Sequence, residues 1–364
     1  MATNHRAYSD LAVPPGEYLV EVLGEKGISQ AELARRIDRP TQAINEIVKG
    51  EKAITPATAI QLERALGVPA HIWIGLESRF QLIKGRQEEE RSLDKDRPYL
   101  KEIPYDQLAD LACVRKTPDE KERIRELRAF YGVSSLPNLP SVRAYEASFR
   151  RGRGRAASAY ALGAWIRCAE VSAAKAAAEP FDRAKLRGAL SVIRGLSTKE
   201  PDIFLTELEK LLARSGVVFL LQPHFRKTYT HGATFWLGPE KAVLVMSLRG
   251  KWADIFWFSL FHELGHILLH KKKTFIDDGH IAPEMVRAEE EADAFASDML
   301  LEPKKYAEFV RNADFSEGAI KTLAGAQGVA VGIIIGRLQH DGSLPSRSEL
   351  NRLRARYDWT EPRN

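Results

Sequence analysis

The sequence predicts a mainly helical chain of the α+β class, in which many helices accompany one small β-sheet. Three observations support this prediction. Helical patterning with glycine ends covers residues 15 to about 84. Short runs rich in β-branched and aromatic residues lie between residues 216 and 248. Helical patterning then returns from about 251 to 340.

Composition narrows the class of protein. The chain has 364 residues, 44% hydrophobic and 28% charged, as is typical of a soluble globular protein with two or three domains. It contains no uncharged apolar run of about 18 residues, and MATNHRAYSDLAVPPGEY lacks the apolar core of a signal peptide. We therefore expect a cytoplasmic protein with no membrane partner. Cys113 and Cys168 lack CxxC spacing and predict no disulfide framework.

Residues 1–84 are predicted to form a compact helical domain. PPGEYLVEVLGEKG gives the first helix, which ends at a glycine. In SQAELARRI, Ser29 is the expected N-cap and Glu32 completes a capping box. RPTQAINEIVKG predicts a third helix. TPATAIQLERALG predicts a fourth, with Thr55 as its cap and Pro56 at its first position.

The rest of the chain divides into four predicted segments. Residues 85–104 lie mostly within the charged, non-periodic KGRQEEERSLDKDRP and are predicted to be a linker, and residues 105–215 form a helical region. Residues 216–310 form the core of a second domain, with GVVFLLQ, ATFWLG and AVLVMSL as strands and GPEK as a hairpin turn. Residues 311–364 are a C-terminal helical region.

FHELGHILLH, residues 261–270, contains the spacing H-E-x-x-H. His262 and His266 are four residues apart, so on a helix both imidazoles can bind one metal ion from consecutive turns. Glu263 sits one step round the helix. It is predicted to act on the attacking water as general base and then as proton donor. The helix over 254–270 is apolar almost all round, which predicts a buried position.

A third ligand is expected on a second helix, RAEEEADAFASDMLLEP, residues 287–303. In the gluzincin arrangement, the ligand glutamate precedes by four residues an aspartate that hydrogen-bonds the first metal-bound histidine. Glu289 and Asp293 have this spacing. Glu289 is therefore the predicted third ligand, and Asp293 is expected to orient His262 and fix its tautomer. We expect Zn²⁺ as the cofactor of this set.

Neighbouring residues are given lesser roles. The metzincin extension is excluded, because Leu269 and Lys272 stand where it requires glycine and histidine. Glu290 and Glu291 are expected to be solvated charges, and His270, His280 and His340 to be structural or surface residues. His231 or Tyr229, ahead of the expected edge strand, is predicted to stabilise the oxyanion.

FHELGHILLH followed by EEEADAFASDMLLEP resembles the ImmA/IrrE family of zinc metallopeptidases, whose motif pairs H-E-L-G-H with E-x-E-A-x-x-F-A-x-x-L-L-x-P. The match covers about residues 200 to 340. The resemblance implies a gluzincin-like fold. It also implies site-specific cleavage of a transcriptional repressor, as in studied members of that family.

The first 84 residues resemble the HigA/VapI antitoxins, of the phage-repressor helix-turn-helix class, through PPGEYLVEVL and SQAELARRIDRPTQAINEIVKGEKAITPATAIQLERALGVPAHIW. This resemblance implies a recognition helix at about Thr41 to Lys49. The side chains expected at DNA bases or phosphates are Arg39, Thr41, Gln42, Asn45, Lys49 and Lys52. Glutamine and asparagine can read adenine, and arginine can read guanine.

Charge alone does not decide between DNA binding and a dimerisation module. Residues 1–84 contain ten Lys or Arg and ten Asp or Glu, so the domain is neutral overall. A local phosphate-binding rim is expected from Arg35, Arg36, Arg39, Lys49 and Lys52. The alternative is a helical module that serves dimerisation only.

Two further stretches carry weaker signals. SFRRGRGR, residues 148–155, is expected to be a solvated loop. IKTLAGAQGVAVGIIIGRLQHDG, residues 320–342, repeats the spacing of the first helical unit. Its second half is too apolar to face DNA, so we expect it to form core or a partner-docking face.

Two hypotheses of function follow. The first is a DNA-binding regulator, antitoxin-like, with a zinc-dependent endopeptidase domain that cleaves a repressor or partner protein. The alternative is a non-enzymatic antitoxin and autorepressor that uses the peptidase fold as a toxin- or signal-binding module. Both predict a homodimer on operator DNA, with a protein substrate or cognate toxin as the second partner.

Overall fold

The computed structural model describes residues 11–142, 158–270, 274–277 and 285–359. Residues 148–155 and His280, for which a loop and a structural or surface role were predicted, lie outside the described residues. The chain forms two compact units, Met1–Lys95 and Asp96–Asn364. The division between them falls inside the segment that was predicted to be a linker.

The first unit is a five-helix domain over its described residues. Its helices are α1 Pro15–Lys26, α2 Gln30–Arg36, α3 Thr41–Val48, α4 Pro56–Leu66 and α5 Ala70–Ser92. Ser29 caps α2 by accepting a hydrogen bond from the backbone N–H of Glu32 (3.1 Å), and Thr55 caps α4 in the same way. The predicted capping box is only half formed, because the Glu32 carboxylate instead accepts hydrogen bonds from Arg35 and Arg36.

Residues 85–92, predicted to be a non-periodic linker, instead continue α5. That prediction is wrong for these residues. Their Arg, Gln and Glu side chains have high helix propensity, which extends a helix without any apolar periodicity. The N-terminal half of α5 anchors the helix through buried Trp73 and Phe80.

A small core holds the first unit together. Leu19, Leu33, Ile44, Leu62 and Trp73 are among its fully buried side chains. Since each comes from a different helix, the core fixes all five helices relative to one another.

The second unit contains the β-sheet. Its strands are β1 Val217–Leu221, β2 Gly232–Trp236, β3 Ala242–Met246 and β4 Phe275–Asp277, in the spatial order β1-β3-β2-β4. β1 runs parallel to β3, and β2 runs antiparallel to both β3 and β4. The predicted hairpin through GPEK is confirmed, with Trp236 opposite Ala242. β4 was not predicted, since three residues are too few to show a strand pattern.

Ten described helices accompany this sheet. They are α6 Tyr105–Asp110, α7 Glu120–Tyr131, α8 Ala159–Lys175, α9 Arg183–Gly195, α10 Pro201–Arg214, α11 Ala253–Leu269, α12 Val286–Leu300, α13 Pro303–Asn312, α14 Glu317–Gln327 and α15 Val331–His340. Alternating strand residues face opposite sides: Leu244 and Met246 join the core cluster that contains Leu260 of α11, whereas Val243 and Val245 join the cluster of Trp165 in α8. The predicted class, mainly helical with a small sheet, is confirmed.

Two predictions about the second unit are decided by its packing. The structure joins Cys113 to Cys168 in a disulfide, although no disulfide framework was predicted. Spacing alone gave no sign of this pair, because the two residues are 55 positions apart and meet only through the fold. The apolar α15 buries Ile333, Ile334 and Ile335, so it is core, as the sequence indicated.

A helix that spans a membrane must be both long and apolar. No single described helix meets both requirements. Glu317–Gln327 and Val331–His340 meet them only when taken together, and these two helices are bent by 111° relative to each other.

Candidate metal centre and helix-turn-helix surface

The helix α11 carries the H-E-x-x-H motif through the middle of the second unit. His262, Glu263 and His266 have relative exposures of 6%, 0% and 2%. Their burial follows from the sequence of α11, which is apolar on nearly every face and therefore packs against the sheet on one side and α12 on the other. The predicted buried setting of the motif is confirmed.

Small residues let α12 approach α11 closely. A Cβ added at Gly265 would lie 3.3 Å from Cα of Ala292 and 3.1 Å from Cδ1 of Phe295. Ala292 and Ala296 are themselves fully buried. This close packing places Glu289, 6% exposed, opposite the two histidines.

Three potential ligand atoms converge between the helices. His262 Nε2 lies 2.9 Å from His266 Nε2 and 3.1 Å from Glu289 Oε2, and His266 Nε2 lies 3.3 Å from the same oxygen. A tetrahedral zinc ion with ligand bonds of about 2.0–2.1 Å separates its ligand atoms by roughly 3.3 Å. The three atoms fit such an ion, and they belong to the residues that the sequence predicted as ligands.

Asp293 lies one turn beyond Glu289 on α12. Its Oδ1 is 2.8 Å from His262 Nδ1. A carboxylate there favours a proton on Nδ1, which leaves Nε2 with its lone pair directed at the cluster. The structure thus brings Asp293 to the nitrogen that its predicted orienting role requires.

Protonation in the cluster suits metal binding. Burial lowers the pKa of His266, which favours the neutral imidazole that a metal requires. Burial also acts to raise the pKa of Glu289, but the imidazoles of His262 and His266 outweigh it and hold that pKa below its usual range. Both shifts favour the ligand forms at neutral pH.

Glu263 is enclosed beside the first residue of β2. A Cβ added at Gly232 would lie 3.0 Å from Glu263 Cγ, 3.1 Å from its Oε1 and 3.0 Å from Met246 Sδ. Only glycine leaves this space free. The backbone of β2 therefore limits the positions open to the predicted general base.

The predicted DNA-reading residues lie on and just after α3 of the first unit. Thr41, Gln42, Asn45, Lys49 and Lys52 are exposed. Gln42 donates a hydrogen bond to Glu46 Oε1 (2.9 Å), and Lys52 pairs with the other oxygen of that carboxylate at 3.5 Å. These side chains are thus held near the exposed face of α3 by local contacts.

Arg39 differs from the other predicted DNA contacts. It is half-buried, and its Nε donates to Gln61 Oε1 at 2.9 Å, a residue of α4. Arg35 and Arg36 are engaged by Glu32. With Lys52, which pairs with Glu46, four of the five cations of the expected phosphate rim are therefore restrained by neighbours in the same unit.

Comparison with known families identifies two domains in the chain. Residues 19–73 match the helix-turn-helix family, and residues 227–333 match the IrrE N-terminal-like domain family. The chain therefore contains a helix-turn-helix domain and an IrrE N-terminal-like domain. The helix-turn-helix domain precedes the IrrE-like domain, as the motifs predicted.

Relatives of the helix-turn-helix domain were found among known proteins. Virulence-associated protein I of Dichelobacter nodosus is 34% identical over 80 residues, 22% of this chain and 74% of that protein. The uncharacterized HTH-type transcriptional regulator YddM of Escherichia coli K12 is 29% identical over 83 residues, 23% of this chain and 84% of that protein. The solved structure of Pseudomonas aeruginosa antitoxin HigA with higBA promoter is 30% identical, covers 24% of this chain and 95% of its own, and has a TM-score of 0.22.

In the IrrE-like domain, sequence reasoning missed two polar residues. His270 was interpreted as structural or surface and Glu291 as a solvated charge. His270 Nδ1 instead lies 3.0 Å from Nδ1 of the predicted ligand His266, and His270 Nε2 lies 3.2 Å from Glu291 Oε2. The available signal was spacing, because His270 follows His266 by the same four residues that separate His266 from His262.

The fold differs from the expectation for the oxyanion. β2, which follows Tyr229 and His231, is not the edge strand that was expected, because β4 pairs with it over Gly232–Thr234. His231 Nε2 is 3.4 Å from Arg249 Nη1, and Tyr229 is 42% exposed. The described contacts place neither side chain at the ligand cluster, so their role stays a prediction.

Proposed function

We propose that this chain is a DNA-binding regulator, antitoxin-like, whose IrrE-like domain is a zinc-dependent endopeptidase that cleaves a repressor or partner protein. One observation carries the enzymatic part. Two imidazole nitrogens and a carboxylate oxygen lie within 3.3 Å of one another, and the general-base candidate Glu263 is adjacent to His262 on the same buried helix.

His262, His266 and Glu289 would hold the zinc. When bound, such an ion supplies Lewis-acid polarisation of the scissile carbonyl and makes water more acidic. Two neutral imidazoles and one carboxylate leave a net positive charge at the centre, which suits the polarisation of a carbonyl oxygen.

Glu263 carries the proton in this proposal. Its carboxylate takes a proton from the attacking water and later gives it to the departing amine. Glu263 is completely buried, which keeps its carboxylate away from bulk water. The β2 backbone at Gly232 keeps the carboxylate in place.

The helix-turn-helix domain supplies the regulatory part. Its family match and the exposed polar side chains of α3 support binding to operator DNA. We propose that the protein binds an inverted repeat in operator DNA as a homodimer. Because its target is DNA, we propose a cytoplasmic location. The protein partner is a substrate repressor or a cognate toxin.

Comparison of new protein N-termini in cells tests this function. Cells expressing the wild-type chain are compared with cells expressing Glu263→Gln, which changes only the base and keeps the three ligands. We expect one or a few cleaved proteins, a DNA-binding repressor or direct partner among them, in wild-type cells only. Labelling of N-termini followed by mass spectrometry identifies the cleavage sites.

The outcome separates enzyme from binding module. If the same new N-termini appear with Glu263→Gln, Glu263 is not the base and the endopeptidase proposal fails. If no new N-termini appear although the purified chain carries zinc and binds a partner, the non-enzymatic antitoxin is favoured. The Glu290→Gln variant, an exposed carboxylate on α12, serves as the matched control.

A further inference from the structure

A series of hydrogen-bonded side chains extends from the ligand cluster to the surface. His266 Nδ1 faces His270 Nδ1 at 3.0 Å, and His270 Nε2 faces Glu291 Oε2 at 3.2 Å. Arg287 in turn donates to the second oxygen of Glu291 at 2.8 Å. The series begins at Nδ1 of His266, whereas Nε2 of the same ring is directed at the ligand cluster.

Donor and acceptor chemistry determines which ring nitrogens of His266 and His270 carry protons. Glu291 accepts, so His270 carries its proton on Nε2 and presents a lone pair at Nδ1. His266 must then donate from Nδ1, which leaves its Nε2 as an unprotonated nitrogen directed at His262 and Glu289. If both imidazoles are neutral, only this arrangement of tautomers satisfies the two hydrogen bonds of His270.

We propose that His270 and Glu291 are positioning residues that hold His266 in its metal-binding tautomer and orientation. The inference rests on the proposed zinc centre. His270 would then orient His266 in the same way that Asp293 orients His262. Each imidazole ligand of α11 is then fixed from behind by its own acceptor.

Packing supports a directional role for His270. Its side chain is only 11% exposed, although it follows the last residue of α11. Phe275 of β4 stacks on the His266 ring at 4.0 Å and 15°, and it contacts the His270 ring at 5.3 Å. The aromatic ring restricts rotation of both imidazoles, so the hydrogen bond between them has a defined direction.

The identity of the carboxylate follows from the helical positions. Glu291 faces His270, whereas Glu290 is exposed and Glu289 faces the ligand cluster. Consecutive glutamates thus face three different directions.

Zinc affinity of the full chain tests the inference. Competition against a fluorescent zinc chelator gives the zinc dissociation constant of wild type, His270→Leu and His270→Asn. The asparagine oxygen replaces the acceptor at Nδ1, whereas leucine removes it. His340→Leu is the matched control, because the His340 side chain is 81% exposed.

We expect His270→Leu to weaken zinc binding roughly tenfold to a hundredfold, the range seen when partners of ligand histidines are removed. His270→Asn should recover most of this loss, and His340→Leu should bind like wild type. In cobalt-loaded protein, the visible d–d bands should shift in His270→Leu and return in His270→Asn. Glu291→Leu should weaken zinc binding, and Glu290→Leu should not.

Distinct results overturn the inference or the centre itself. If His270→Leu binds zinc as tightly as His340→Leu, or if leucine and asparagine weaken binding equally, His270 does not act by accepting a hydrogen bond from His266. If the wild-type chain binds no zinc, the metal centre itself fails. Thermal melting of the zinc-free variants shows whether a loss of zinc binding comes from unfolding. If His270→Leu is unfolded, the zinc affinity of His270→Asn is compared with that of wild type instead.

Discussion

The two ring nitrogens of His262 serve different partners, and this division organises the site. Nδ1 lies against Asp293 and Nε2 against Glu289 and His266. The same logic places a separate acceptor behind His266. At the scale of single residues, the site therefore depends on groups around the ligands as much as on the ligands themselves.

Gly232 gives a test of how Glu263 is positioned. Gly232→Ala would place a methyl group 3.0 Å from Glu263 Cγ, so the carboxylate must move. We expect zinc content to stay unchanged and cleavage to fall roughly tenfold to a hundredfold, since sub-ångström to ångström misplacement of a catalytic group has effects of this size. Cleavage of the identified substrate is measured against a control, Gly188→Ala, whose added Cβ meets nothing within 4 Å.

Cleavage at the wild-type rate in Gly232→Ala would show that Glu263 does not depend on the β2 backbone. Loss of zinc together with activity would instead indicate a general distortion of the centre. The two readings are separated by measuring metal content on the same preparation.

Sequence spacing predicted the residues of the site because an α-helix has a fixed period. His262, His266, Glu289 and Asp293 each follow from i to i+4 relations on two helices. His270 and Glu291 also obey that period, but their contact depends on how the two helices pack. Such a contact cannot be obtained from either segment alone.

At the scale of elements, the contact between α11 and α12 decides whether the ligands meet. Gly265 lies against Ala292 and Phe295 at van der Waals distance or closer. Gly265→Leu should force the helices apart and withdraw Glu289 from the histidines. We expect a destabilisation of about 1–3 kcal/mol from overpacking together with loss of zinc.

Denaturant unfolding and zinc analysis of Gly265→Leu check this expectation. Gly325→Leu on α14 is the matched control, because its added side chain enters open space. Full zinc binding by Gly265→Leu would show that the close approach is not needed for the ligand set.

A buried ion pair anchors the beginning of α11. Asp254 accepts two hydrogen bonds from Arg354, at 2.7 and 3.0 Å, and both side chains are under 10% exposed. Arg354→Met should cost about 3–5 kcal/mol of unfolding free energy, because it leaves a buried carboxylate without its cation. Arg352→Met, at a 63% exposed arginine, should cost far less. Equal unfolding midpoints of the two variants would contradict this account.

Sequence reasoning missed some features of the fold for two different physical reasons. β4 and the Asp254–Arg354 pair exist only through contacts distant in sequence, and the latter spans 100 positions. The continuation of α5 through residues 85–92 was missed for the opposite reason, since propensity without apolar periodicity was interpreted as a linker. Local pattern predicted the long amphipathic or apolar helices and the three longer strands.

At the scale of the whole molecule, the proposed function joins a DNA-binding unit to a metallopeptidase unit. A helix-turn-helix provides few base contacts per copy, so useful affinity requires two copies on half-sites about one helical turn apart or a multiple of it. We therefore expect a homodimer that protects an inverted repeat. Sedimentation and footprinting test the two parts of this expectation separately.

Two substitutions on the exposed face of α3 distinguish base reading from phosphate contact. Gln42→Ala should lose about 1–3 kcal/mol of preference at one base position. Lys52→Ala should weaken all sequences alike and reduce the salt dependence. Since the domain carries ten positive and ten negative side chains, the salt slope itself should be modest. If the protein binds the operator no more tightly than random DNA, the helix-turn-helix domain serves dimerisation only.

Zinc content of the purified full-length chain tests the central claim most directly. Metal analysis should find about one zinc per wild-type chain, as for a single site with three protein ligands. His262→Ala and Glu289→Ala should lose nearly all of it, whereas Glu290→Ala, one position along α12 and exposed, should retain it. A wild-type chain without bound zinc, or Glu289→Ala with full zinc, would contradict the assignment of this centre.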